Sequence, residues 1–264
     1  MQITAHTPTV LGVDTEMLSA PLEASIINAA VSKYWRVVVV EHTGSTQSDL
    51  ISLARAGTAN AGDIIVADYQ SVGRGRLMRS FDAPQGTALL FSLYIQPKRM
   101  LDDWGYIPLI VGTSLAQVLS DFGANLKWPN DVLINEKKVA GIIAETTDEG
   151  IVIGVGLNFG MQVHQLPVPT ATSLLIEGVR NLTRNKLLIE FLSNFEEKFI
   201  AWDAGSDDIH AHYLKLSATI GREVRAEYPN GVSENGLAVS ISRKGELVLA
   251  SGQHVQAGDI IHLR

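Results

Sequence analysis

The chain has no cysteine, so disulfides, a thiolate metal site and a cysteine nucleophile are all excluded. It also lacks positive charge overall: 21 Lys and Arg stand against 28 Asp and Glu, for a formal net charge of -7. An extended nucleic-acid footprint needs a basic face or stripe, so none is expected, although a local anion pocket is compatible with this balance. No apolar run has the length of a bilayer-spanning helix, and the opening MQITAHTPTVLGVD does not run from basic to apolar as a secretory signal does. The expected compartment is the cytoplasm, with no membrane partner. Neither a Gly-x4-Gly-Lys-Ser/Thr phosphate loop nor a Gly-x-Ser-x-Gly nucleophile elbow occurs. There is no internal repeat and no low-complexity segment.

What remains is the composition of a globular protein, 46% hydrophobic and 19% charged over 264 residues, enough for one large core and a small second unit. Residues 1 to 20 read as an irregular arm and 22 to 32 as a short helix. RVVVVEHT (36 to 43) reads as a buried strand because of its β-branched run. STQSDLISLARAG follows as a helix that Thr46 can cap and Gly57 ends. DIIVADYQ (63 to 70) and GTALLFSLYIQP (86 to 97) read as strands. YIPLIVGTSLAQVLSDFG (106 to 123) reads as a helix with Pro108 in its first turn and Gly123 past its end. A hairpin is expected around Asn135-Glu136-Lys137-Lys138, then the strand GIVIGVGLN and helices at 184 to 202 and 207 to 216. After residue 217 short strands alternate with turn residues, which predicts a small β-barrel. The expected architecture is α+β: a mixed sheet flanked by helices, then a barrel, divided as 1–33, 34–217 and 218–264.

Against the acidic background, one stretch is conspicuous. In YQSVGRGRLMRS (69 to 80), Arg74, Arg76 and Arg79 accompany Gly73 and Gly75 immediately after a core-type strand. Solvated surface charge, an RNA-binding tract, and a cradle for phosphate or carboxylate all fit these residues. Arginine's rigid fork pairs two oxygens at once, and RNA binding usually adds an aromatic platform that is missing here. Mutual repulsion and flexible glycines imply that the 72 to 82 loop orders only on meeting an anion. In LKWPND, Trp128 fits a core and Pro129-Asn130-Asp131 a turn, but Lys127 in an otherwise apolar strand is more readily understood if an anion meets it. Asp131 offers a hard oxygen ligand for magnesium. GVGLNFG (154 to 160) has Gly-x-Gly-x-x-x-Gly spacing and no helix after it, so a dinucleotide site is not expected. His210 and His212, two apart on a helix, point in different directions and are not read as a metal site.

Five segments resemble the biotin protein ligase family in order and interval: GSTQ (44 to 47), YQSVGRGR (69 to 76), KWPND (127 to 131), KVAGIIAE (138 to 145) and GVGLN (154 to 158). The resemblance spans residues 35 to 264, including the SH3-like barrel that ends these enzymes, and implies their catalytic domain, which is like that of class II aminoacyl-tRNA synthetases. It implies that biotin's carboxylate attacks the α-phosphate of ATP, with magnesium, to give biotinyl-5'-AMP and pyrophosphate. A lysine of a biotin carboxyl carrier domain of a biotin-dependent carboxylase then takes the biotinyl group. By the same resemblance Ser45, Thr46, Gln47, Gln70 and Gly141 bind biotin, and Gly73 and Gly75 let backbone approach it. Arg74 and Arg76 hold carboxylate and phosphate, and Arg79 reaches the outer phosphates. Lys127 bridges carboxylate and α-phosphate as the principal catalytic cation with Arg76. Phe81, Asn130, Asp131 and Asn158 serve the nucleotide, Asp131 also the magnesium.

The segments depart from the family pattern at three places. Gln47 stands for the usual asparagine, Met78 (after Leu77) for the third glycine of the loop, and Phe81 for a tryptophan that covers the adenine. Relatives with an N-terminal winged helix repress transcription. Here the first strand is expected near residue 36, so no DNA binding is expected, and a homodimer is compatible. Within the same fold, lipoate ligases perform a parallel adenylation, and the cysteine-dependent octanoyl transferases are excluded. An inactive biotin- or nucleotide-binding regulator is the rival from a different class.

Overall fold

A computed structural model describes residues 20–76, 79–228, 231–256 and 258–263; most of the expected N-terminal arm, residues 1–19, lies outside the described residues. Helix α1 (Ala24–Ala30) precedes strand β1 (Arg36–Thr43), helix α2 (Thr46–Arg55) and strands β2 (Asp63–Gln70) and β3 (Ala88–Ile95). Helix α3 (Ile107–Val118), strands β4 (Asn125–Lys127), β5 (Asp131–Ile134), β6 (Lys137–Thr146) and β7 (Ile151–Asn158), and helices α4 (Arg184–Asp203) and α5 (Asp208–Leu216) follow. These strands form one mixed sheet in the order β1-β2-β3-β7-β6-β5-β4, in which only β1 and β2 run parallel. At its centre all eight residues of β3 are buried, consistent with the uninterrupted apolar sequence ALLF and LYI around Ser92. The phenylalanines of α4 cover one face, with Phe91 and Phe191 ring centroids 5.2 Å apart. On the other face Leu50 and Ile51 of α2 pack with Tyr94 and Val152.

Strand β1 corrects the sequence reading. Its β-branched run reflects strand propensity rather than burial: β1 is an edge, only Val37 is buried, and Val38 is 56% exposed. Asn28 of α1 closes part of that edge, its side-chain amide donating to Val37 O at 2.8 Å and accepting from Val37 N at 2.9 Å. A side chain thus imitates a neighbouring strand and blunts the edge. The cap of α2 also differs. Ser45, not Thr46, is the N-cap, without a side-chain capping bond, because the Thr46 hydroxyl is engaged with Ser92 Oγ at 2.9 Å. The β5–β6 turn is only Asn135 and Glu136, with φ of 50° and 61°. Such a two-residue left-handed turn matches the twist of the flanking strands, so Lys137 and Lys138 belong to β6.

The C-terminal strands β8 (Glu223–Glu227), β9 (Ser233–Ile241), β10 (Leu247–Leu249), β11 (His254–Val255) and β12 (Asp259–His262) form a five-stranded antiparallel sheet, ordered β11-β10-β9-β8-β12. It docks on the β4 end of the large sheet. Trp128, in a cis peptide with Pro129, donates from Nε1 to Gly245 O at 2.8 Å and from its backbone to Thr219 Oγ1 at 3.0 Å. Gly245 has φ of 84°, and a Cβ there would meet Gly105 O at 2.4 Å, so a glycine is required where these two backbones touch.

No sequence motif announced Arg184, the first residue of α4, which is 1% exposed and forms a 2.6 Å ion pair with Asp68. Breaking such a pair leaves an uncompensated charge, so Arg184→Ala is expected to cost about 3 kcal/mol of stability in urea unfolding. A loss below about 1 kcal/mol would mean that the pair is no stronger than an exposed one.

Candidate functional site

A cavity of about 340 Å³ opens over the face of β3, β6 and β7. Its inner end is built by the start of α2. Ser45, Thr46 and Gln47 are all at least 96% buried, because the chain turns from β1 into α2 directly above the sheet. There a continuous polar chain runs across the pocket. Thr46 N donates to Gln70 Oε1 at 2.7 Å, Thr46 Oγ1 meets Ser92 Oγ at 2.9 Å, and Ser92 Oγ donates to Gln47 Oε1 at 3.1 Å. Ser45 Oγ is buried and has no hydrogen-bond partner among the described residues. An orphaned buried hydroxyl costs free energy unless a ligand meets it. Ser92 was absent from the sequence-based set. Its signal was available: it is the one polar residue in ALLFSLYI.

The outer end is cationic. Arg74, Arg76 and Arg79 all line the cavity with Lys127, and each arginine is held by an acceptor of the protein. Arg74 pairs with Glu145 at 2.9 Å, Arg76 donates to Asn130 Oδ1 and Gly258 O, both at 3.3 Å, and Arg79 pairs with Asp259. The repulsion evident in the sequence is therefore offset by fixed acceptors. The loop also doubles back on itself through an Arg74–Ser80 bridge and a bond from Phe81 N to Gly73 O at 2.9 Å. Leu77 and Met78, the departure from the family pattern, lie outside the described residues.

Lys127 ends β4 beside Asp131, and among the described residues its ammonium has no hydrogen bond. Burial, reinforced by Lys138 and opposed by Asp131, pushes its pKa below the ordinary lysine value. Burial likewise lowers that of the Arg76 guanidinium, with Asp131 opposing and Arg79 adding to the effect. Asp131 pairs with Lys138 at 2.6 Å, and Gly141 leaves room for that lysine, since a Cβ would stand 3.0 Å from Lys138 Nζ. Asn130 also lines the cavity and donates from Nδ2 to Ile142 O at 2.8 Å.

Two expected contacts fall elsewhere. Gly73 does not line the cavity; a Cβ there would lie 2.1 Å from Phe81 O, so the loop's own return requires a glycine at this position. Asn158 is 6% exposed, is not a lining residue, and donates from its side-chain amide to Thr172 O at 2.8 Å. Packing about Asn158 set its direction, which β7's sequence did not reveal. Gly75 remains at the cavity, and the Phe81 ring lies against β7 where a Cβ on Gly156 would be 2.7 Å away. Unforeseen wall residues come from the C-terminal sheet, including Glu227, Asp259 and Ile260. Among the described residues no three His, Asp or Glu side chains gather as a metal cluster, and no helix is long and apolar enough to cross a membrane.

Residues 39–158 match the biotin/lipoate A/B protein ligase family, and 219–263 match the biotin protein ligase C-terminal domain. The chain is similar to the biotin–[acetyl-CoA-carboxylase] ligase of Mycobacterium tuberculosis, at 34% identity over 95% of this chain and 99% of that one. It is also similar to the bifunctional ligase/repressor BirA of Escherichia coli K12, at 34% identity over 81% of this chain and 68% of that one. In structure it resembles a biotin protein ligase from Aquifex aeolicus in complex with biotin and ATP, with a TM-score of 0.74, 26% identity, and coverage of 86% of this chain and 98% of that one. The chain belongs to the biotin protein ligase family.

His262 of β12 stands behind Lys127. Its Nε2 is 3.1 Å from the Thr219 hydroxyl, which already accepts from Trp128 N and so has its own proton to donate. Burial, with Lys127 and Arg222 adding and Glu136 opposing, depresses the imidazole pKa to about 4. A folded pKa below the unfolded 6.5 means that the unfolded chain takes up the proton first. This contribution to stability is complete above pH 6.5 and lost as pH falls toward 4. Unfolding midpoints are expected to decline over that window less steeply in His262→Gln than in wild type; equal slopes would show that His262 titrates normally.

Proposed function

We propose that this chain is an ATP-dependent biotin protein ligase that forms biotinyl-5'-AMP, releases pyrophosphate, and passes biotin to a lysine of a carrier domain of a biotin-dependent carboxylase. The observation that carries the reading is the convergence of Arg74, Arg76, Arg79 and Lys127 on one cavity whose far end is buried, polar and incompletely satisfied. A ligand with an uncharged polar ring at one end and a carboxylate at the other suits that gradient. Ser45 and the Thr46–Gln70 pair meet the ring, with Gln47 behind them, while Arg74 and Arg76 take the carboxylate.

The first step brings two anions together, so repulsion dominates its barrier. A unit charge pair at 4 Å is worth about 4 kcal/mol at an effective dielectric of 20, and Lys127, drawn partly out of water and lacking a hydrogen bond of its own, is the cation best placed to act on both. It bridges the carboxylate and the α-phosphate and stabilises the charge that gathers there in the transition state. Arg79 exchanges Asp259 for the outer phosphates, and Phe81 lies beside the nucleotide. Magnesium, the usual companion of ATP, would be held largely by phosphate and water. Asp131 would serve as its protein ligand by exchanging the Lys138 ammonium, now 2.6 Å from Oδ1, for the ion, which would neutralise phosphate charge there. The adenylate then supplies what a free carboxylate lacks, a good leaving group, so that the carrier lysine forms an amide and AMP departs.

ATP–pyrophosphate exchange with magnesium tests this directly. Exchange is expected with biotin and not with lipoate or without acid, and Lys127→Ala is expected to lower it by roughly 10²- to 10³-fold. Exchange with lipoate alone would move the chain to the lipoate ligases. Biotin binding without exchange would instead favour a protein that has kept the pocket and lost the chemistry.

A further inference from the structure

Glu145 lies near the end of β6, opposite Val152 of β7, and its carboxylate takes the Arg74 guanidinium in a fork: Arg74 NH1 is 2.9 Å from Oε1, and NH2 donates to Oε2 at 3.2 Å. Unlike Asp259, Glu145 does not line the 340 Å³ cavity. It lines an adjoining space of about 710 Å³ that shares the arginine loop with the cavity. Glu145 therefore holds Arg74 from outside the lining of the cavity that Arg74 itself lines. The side chains of the pair are 41% and 35% exposed, so the pair contributes little to folding; what a bidentate fork supplies at such a place is direction.

Gln47 connects this pair to the floor of the cavity. Its Nε2 donates to Val152 O at 3.1 Å and lies 3.4 Å from Glu145 Oε1, while its Oε1 accepts from Ser92 Oγ. Gly154 permits this, since a Cβ there would be 2.7 Å from Gln47 Oε1. An asparagine, shorter by one carbon–carbon bond of about 1.5 Å, would not reach Glu145.

We propose that Glu145 is a positioning residue for Arg74, setting the direction in which that arginine meets the substrate carboxylate, and that Gln47 ties the pair to the ring-binding end of the same pocket. The assignment rests on the reading of Arg74 as a carboxylate ligand. A residue that acts only through Arg74 loses its effect when Arg74 is gone, which a general structural role does not.

Kinetics of biotin-dependent pyrophosphate exchange for Arg74→Ala, Glu145→Gln and the double variant test it, with melting curves as a folding control. Glu145→Gln is expected to raise KM for biotin about tenfold, with KM for ATP and the melting temperature little changed. The double variant is expected to match Arg74→Ala alone, and Gln47→Asn to shift KM for biotin in the same direction by less. An unchanged KM in Glu145→Gln beside a raised KM in Arg74→Ala overturns the positioning role alone, as does a double variant in which the two effects multiply. An unchanged KM in Arg74→Ala overturns both the role and the assignment of Arg74.

Discussion

Five cations, Arg74, Arg76, Arg79, Lys127 and Lys138, line one partly buried cavity, and much of the local structure answers the repulsion among them. Each lies within reach of an acceptor that belongs to the fold: Glu145 for Arg74, Asn130 and Gly258 O for Arg76, Asp259 for Arg79, with Asp131 next to Lys127 and Lys138. Were these acceptors absent, the arginines would turn to solvent, and the positive field at this end of the cavity would not be fixed. Charge held in place beforehand is what makes electrostatic stabilisation effective, and on the proposed reading Arg79 is the arginine that must change partner. Burial lowers the pKa of both Lys127 and Arg76, since it costs the charged form most.

The acceptors come from three distant parts of the chain, which explains why the small C-terminal sheet is docked rather than tethered. Trp128 bonds to Gly245 O and Thr219 Oγ1, and the backbones at Gly105 and Gly245 are in contact. These contacts lock the sheet against the Lys127–Asp131 turn. With that register set, Asp259 and the Gly258 carbonyl reach across to the arginine loop. The second sheet thus completes the wall of the site and supplies the counter-charge of Arg79.

Local chemistry was legible in the sequence, and long-range pairing was not. The helices and strands followed from apolar periodicity and turn residues, and Asn135-Glu136 differed only because a left-handed pair makes a tighter turn than four residues suggest. Burial of β1 was misread because valine reports strand geometry as strongly as it reports a core. Arg74, Arg76, Arg79 and Lys127 stood out because positive charge on a glycine-rich loop or in an apolar strand has few structural explanations. Their partners did not: Glu145 and Asp259 look like any surface carboxylate until the fold places them, and Arg184 matters in energy only once it is buried against Asp68. Asn158 shows the converse, a motif residue whose side chain is committed to Thr172 O.

The central claim is that the cationic end of the 340 Å³ cavity receives the reacting carboxylate and phosphate. A crystal structure with biotinyl-5'-AMP tests it most directly. The phosphate is expected within hydrogen-bonding distance of Lys127 and Arg76, the biotin ring against Ser45, and Arg79 released from Asp259. An adenylate bound with its phosphate away from Lys127, or in the adjoining space that shares the arginine loop, would contradict it.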